Sequence, residues 1–202
     1  MPTSSRSEAS GARRWRTVFD VARTVRTEPA LVVADAALRL TAVTGRRQND
    51  DRAEEWREAL RTRAGRARGA RGIRSLLGIV EFANGLAESP GESVSRLQLA
   101  RVGFAIPRLQ VRVPGPQGSF YWVDFALDDV NAFGEFDGQG KYLDESQRSG
   151  RSLEQVMLDE KAREDWIRGT TDRRFPRWGS EHITTSTALA ARLAAFGIRP
   201  PS

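Results

Sequence analysis

The stretch FYWVDFALDDVNAFGEFDGQGKY, Phe120 to Tyr142, does more than any other to limit what this chain can become. Phe120–Leu127 is rich in aromatic and β-branched residues, Ala132–Asp137 alternates, and Asp128-Asp129-Val130-Asn131 between them carries turn chemistry, so the stretch reads as a β-hairpin. Side chains alternate between the two faces of a strand. Val123, Phe125 and Leu127 therefore share one face, and Trp122, Asp124 and Ala126 the other. If Asp128–Asn131 forms a four-residue loop, Leu127 faces Ala132 and Asp124 lies directly across from Glu135. A two-residue turn at Asp128-Asp129 makes the two acids diagonal neighbours on the same face instead. Either register leaves their Cβ atoms roughly 5–8 Å apart, within reach of one divalent ion bound at roughly 2.0–2.1 Å. Asp137 follows two residues after Glu135, on the same face.

An acid in the middle of an apolar strand is costly unless charge or hydrogen bonds compensate it. Two facing acids are worse, because like charges directly opposite destabilise a sheet. Either a metal ion or nearby Lys and Arg side chains offset them, or Asp124 faces water on a half-exposed sheet and has no role.

Composition excludes several classes. With 202 residues the chain suffices for one domain with a sizeable core, or one domain plus a helical extension. No run of about 18 apolar residues is present, so no transmembrane helix is expected. The opening MPTSSRSEASGARR lacks the apolar core of a signal peptide and suits a disordered leader or a truncated start; the expected compartment is the cytoplasm. The absence of cysteine rules out disulfides, thiolate zinc sites and a cysteine nucleophile, and a single histidine, His182, rules out two-histidine metal sites and most triads. The net charge of +6 suggests nucleic acid as a partner. A GC-rich genome also produces such a bias, because nearly all the positive charge is arginine. Lys141 and Lys161 are the two lysines, one closing the acidic hairpin and the other in the helix that follows.

In order along the chain, residues 1–10 read as a leader and 11–86 as an all-helical segment. Trp15, Val18, Phe19, Ala22 and Val25 recur at helical spacing, Glu28–Thr41 reads as a second helix and Asp51–Arg63 as a third. Gly65–Arg74 is a basic, glycine-interrupted connector. Ser89 is a plausible N-cap, Pro90 suits the first helical position, and Glu92 stands three residues after the cap, where a capping box places an acid. Spacing alone favours the cap for Glu92. After Gly103 the period changes: Leu109–Val113 is an amphipathic strand, Pro114–Gly118 a turn, and the hairpin follows. Ser152–Arg168 is helical, Arg174–Trp178 a short strand and Thr184–Phe196 a closing helix. Strands between helices over 87–198 predict an α/β sandwich of about four strands, with the all-helical segment as its N-terminal extension.

Ser89-Pro90-Gly91-Glu92-Ser93, Val123-Asp124-Phe125, Gly134-Glu135-Phe136-Asp137-Gly138 with Lys141-Tyr142, Glu160-Lys161-Ala162-Arg163-Glu164-Asp165 and Pro176-Arg177-Trp178 occur in that order. Helix with Glu92, strand with Asp124, strand with Glu135, then a basic helix, resembles the PD-(D/E)XK restriction-endonuclease-like superfamily, and within it the branch related to the very-short-patch repair endonuclease. The resemblance covers roughly Ala87 to Trp178. Some larger proteins of this kind resemble the AbiEi type of abortive-infection antitoxin, with a winged helix first. No winged helix precedes Trp15, so the chain reads as a shortened member or a fragment.

The resemblance implies a restriction-endonuclease-like core and DNA as the partner. It implies Mg²⁺ or Mn²⁺ held by Asp124 and Glu135, with Glu92 in or near the metal's coordination shell. Asp137 stands where the superfamily's acid-x-lysine half-motif expects lysine, so Lys141 or Lys161 would supply that positive charge. Arg163 and Arg177 would contact backbone phosphate, which positions DNA without specifying sequence. The alternative implied function is a non-catalytic regulator in a toxin–antitoxin or phage-defence context, with DNA, a toxin or another protein as its partner; fold alone does not establish activity. A third reading is a helical interaction module whose hairpin acids face water.

Overall fold

The helical residues of the N-terminal half carry their apolar side chains at the spacing of one helix face. In the computed structural model, which describes residues 16–138 and 152–201, these become α1 (residues 16–24), α2 (Thr27–Ala42), α3 (Asp50–Arg66) and α4 (Ile73–Phe82). Leu31 and Leu38 of α2, Trp56 and Leu60 of α3, and Leu76 and Val80 of α4 are all buried where the three helices pack together. Val18, Phe19 and Ala22 of α1 are buried as their spacing predicts, whereas Val25 lies past the helix end and is exposed. The expected leader, residues 1–10, lies outside the described residues, as does Trp15.

The all-helical expectation for this segment is corrected by a two-stranded ribbon, β1 (Val43–Thr44) and β2 (Arg47–Gln48), paired antiparallel with Thr44 opposite Arg47. The connection is two residues long, and Gly45 at φ 61° supplies the left-handed conformation such hairpins need. Helix periodicity on both sides hides so short an interruption. Asn49 then caps α3 by accepting the Arg52 amide at 2.9 Å.

Contacts divide the chain into two units, one ending at Val94 and one beginning at Ser95, a boundary within α5 (Pro90–Val102). The second unit is a mixed α/β arrangement. Its sheet has the order β3 (Arg108–Pro114), β4 (Phe120–Leu127), β5 (Ala132–Phe136) and β6 (Arg177–Trp178). The first two pairings are antiparallel and the last is parallel. A parallel neighbour requires a crossover, and α6 (Leu153–Thr171) belongs to that connection. α7 (Ser186–Ala194) closes the unit, with Thr185 as its cap.

The four-residue connection is the one the hairpin adopts: Leu127 pairs with Ala132, Ala126 with Phe133 and Phe125 with Gly134. A short 3-10 turn spans Asp128–Val130, and Asn131 takes a left-handed φ of 49°. Every residue of β5 is buried, as befits a strand covered on both faces. Phe125 stacks on Trp178 with ring centroids 5.3 Å apart, and Trp178 donates its indole N–H to Ser95 at 2.8 Å. On α6 the core residue is Ile167, fully buried beside Phe133 and Ala126, whereas Met157 is exposed. No helix among the described residues is long and apolar enough to cross a membrane.

Candidate functional site

Three elements bring the site together: β4 carries Asp124, β5 carries Glu135, and α6 carries Arg163. Continuing the β4–β5 register one step beyond Phe125 and Gly134 brings Asp124 opposite Glu135. At this step a side chain enters the sheet's hydrogen bonding, because the Phe136 amide donates to Asp124 Oδ2 at 3.0 Å. The same register on the other side puts Gln110 of β3 opposite Asp124, between the pairs Leu109–Phe125 and Val111–Val123. Gln110 is buried and holds a left-handed φ of 48°, a conformation uncommon for any residue but glycine and costly in a strand.

Glu135 is only 7% exposed, so it does not face open water. Arg163 answers it with two N–H donors, Nη2 to Oε1 and Nη1 to Oε2, the latter at 3.2 Å. The same guanidinium donates to the Trp122 carbonyl at 2.5 Å and to Glu160 at 3.0 Å. Arg177 stands beside Glu135 on the adjacent parallel strand, with Nε 3.8 Å from Oε2. It also donates to Glu160 at 2.8 Å, and lies 3.6 Å from Asp137 and 3.9 Å from Glu164. Such bidentate arginine–carboxylate pairing is the strong form of the interaction. Even so, burial pushes the Glu135 carboxyl above its ordinary range, and the Asp124 charge adds to that; Arg163 and Arg177 pull the other way without fully offsetting it. The carboxylates Asp124, Glu135, Asp137, Glu160 and Glu164 thus outnumber the arginines among them, Arg163, Arg177 and Arg168, the last paired with Glu164 at 2.6 Å.

Of the residues the sequence singles out, Asp124, Glu135, Asp137, Arg163 and Arg177 come together here. Arg163 and Arg177 spend hydrogen bonds and charge on carboxylates. Lys161 is exposed on α6, two residues and so about 200° around the helix from Arg163. Lys141 lies outside the described residues. Glu92 belongs to the first unit and is buried. Its carboxylate accepts the Glu88 amide and the Ser89 hydroxyl, each at 2.8 Å, while Ser89 accepts the Glu92 amide at 3.2 Å. These contacts realise the helix cap expected from Ser-Pro-Gly-Glu.

Three participants escaped the sequence reading. Gln110 was detectable by parity, as the polar residue of β3 in register with Asp124. Glu160 was signalled by its spacing of three from Arg163, and Glu164 by its spacing of four from Glu160, but nothing local showed that this helix face turns toward the hairpin.

Comparison with known proteins adds a likeness without a function. The chain is 33% identical over 126 residues to uncharacterized protein MT2308 of Mycobacterium tuberculosis strain CDC 1551 / Oshkosh, and to uncharacterized protein Rv2248 of strain ATCC 25618 / H37Rv. Each match covers 62% of this chain and 42% of the relative, so the chain spans less than half the length of the curated relatives it matches. No family model matches the chain, and no solved structure matches it significantly.

Proposed function

We propose that the second unit is a restriction-endonuclease-like domain of the PD-(D/E)XK type, acting on the phosphodiester backbone of DNA, in DNA repair or phage defence. The observation that carries this reading is the acid pair. Asp124 and Glu135 stand opposite each other on neighbouring strands, Asp137 follows, and a parallel strand with its crossover helix borders Glu135. The order helix, three strands, helix, strand agrees with the resemblance.

In kind, the carboxylates of Asp124 and Glu135 offer the hard oxygens Mg²⁺ and Mn²⁺ prefer, but among the described residues no group of three acids is gathered closely enough to hold an ion, so one would rest on this pair. When bound, such an ion lowers the pKa of its water and neutralises charge on the scissile phosphate. Arg163 competes with any ion for Glu135, and Arg177 and Glu160 hold the orientation of that arginine.

One observation favours a second reading. Arg163 already occupies both oxygens of Glu135, and Asp137 replaces the expected lysine, so the acids are balanced in part by the protein itself. This supports a non-catalytic regulator of the antitoxin kind, which keeps the fold as a scaffold for DNA or a protein partner.

Thermal melting with and without Mg²⁺ or Mn²⁺, followed by plasmid nicking, separates the two. For the nuclease, the ion raises the melting temperature, by about 2.7 kcal/mol of stability at a hundredfold excess over Kd, and Asp124→Asn abolishes both that gain and nicking. Metal-independent melting without nicking speaks for the regulator.

A further inference from the structure

A second cleft in the same unit, of about 440 Å³, is lined by Val130, Asn131, Arg168, Asp172, Arg173 and Arg174. Its charge is opposite to that of the acid site. Each guanidinium is anchored on one side and keeps other N–H donors in reserve, since an arginine carries five. Arg168 donates to the Phe175 carbonyl at 3.0 Å and pairs with Glu164 at 2.6 Å. Arg174 donates to the Gly197 carbonyl at 2.7 Å and has no carboxylate partner among the described residues. Arg173 lies over the Phe133 ring at 4.8 Å and pairs with Asp128 at 2.8 Å. Asp128 is shared with Arg108, so that triad keeps a net positive charge. Anchoring of this kind lowers the ordering cost of binding an anion, and arginine's planar fork matches phosphate.

The position is also informative. Ala132 bridges to Arg174 in parallel register, and the Phe133 amide donates to the Arg174 carbonyl at 2.8 Å. Glu135 lies three residues further along β5, roughly 10 Å of strand length away and on the opposite face from Ala132. One end of the β5–β6 pair is therefore rich in carboxylate and the other in arginine.

We infer that the cleft of Arg168, Arg173 and Arg174 binds the phosphodiester backbone of DNA, at the end of the β5–β6 pair away from Asp124 and Glu135. The inference rests on the DNA reading above and relocates its phosphate contacts away from Arg163 and Arg177, which serve the acids.

Fluorescence anisotropy of a labelled duplex oligonucleotide, titrated with the full chain from about 50 to 200 mM salt, tests this. Arg168→Gln combined with Arg174→Gln should weaken binding at least tenfold at the lower salt, and lower the salt slope by about one for each lost phosphate contact. Arg174→Lys should keep most of the binding, and Arg74→Gln in the first turn of α4, in the other unit, should change nothing. Melting of each variant checks that it folds. Binding and slope unchanged in the double variant overturn the cleft while leaving the DNA reading intact. A wild-type chain that binds no duplex overturns both. Full displacement of the duplex by millimolar orthophosphate makes this a site for free phosphate and overturns the backbone assignment.

Discussion

Arg163 is the residue on which the site's energetics turn. Its side chain is 17% exposed and that of Glu135 is 9% exposed, so neither charge is well served by water. Breaking such a pair from one side leaves the other charge buried and alone, which costs about 3–5 kcal/mol, whereas replacing both with apolar groups is often neutral. Arg163→Met should therefore lower unfolding stability by about that amount in urea titrations, and adding Glu135→Leu should restore most of it. Additive losses would sink this account. Asp128 behaves differently. Arg108 first, and Arg173 with it, hold its carboxyl down to about 2 from an ordinary 3.8, against burial. A depressed acid contributes stability above its unfolded value and loses it as pH falls through the folded one. Stability should thus drop between about pH 3.8 and pH 2, and Asp128→Asn should flatten the profile there. Glu135, raised above its ordinary 4.5 by burial, acts with the opposite sign: its contribution falls as pH climbs past that value.

At the scale of elements, β5 explains why its sequence is so particular. A Cβ placed on Gly134 would come within 2.4 Å of Cη2 and 2.5 Å of Cζ3 of Trp178. The glycine is there because the indole lies against the strand backbone, not for a turn. Gly134→Ala should cost about 1–3 kcal/mol through overpacking, with a shift in tryptophan fluorescence as the ring is displaced. A variant that melts with the wild type would show that the ring moves freely. The Phe120–Leu127 and Ala132–Phe136 hairpin was legible because its signals are local, alternation and turn residues, while the choice between a two-residue and a four-residue connection was made by the fold. β6 was less so. It has two paired residues, Arg177 and Trp178, and a separate bridge at Arg174, and its strand character comes from the neighbour it pairs with.

At the scale of the whole molecule, the chain divides into a helical unit and an α/β unit. Of the net charge of +6, the second unit holds only +1, with 15 Lys and Arg against 14 Asp and Glu, and within it carboxylates gather where Asp124, Glu135 and Asp137 stand while arginines line the cleft of Arg168, Arg173 and Arg174. A composition total averages over that separation, which is why basicity by itself pointed to nucleic acid without pointing to a surface. The matched mycobacterial proteins are more than twice as long as the 126 residues they share with this chain, so the activity of the full-length relatives is a wider question than the site of this unit.

The sequence by itself determined what depends on neighbours along the chain: the hairpin, the acids on one face of it, the cap of α5 and the apolar faces of the helices. Those properties follow from backbone geometry with a period of 2 or 3.6 residues. Only the tertiary structure decided what meets across elements. Glu135 is answered by an arginine 28 residues away on α6, Asp124 takes an amide from β5, and Trp178 covers Gly134. Periodicity says which face a side chain is on; it carries no information about which other element will cover that face, and the electrostatics of a buried acid are set by that cover.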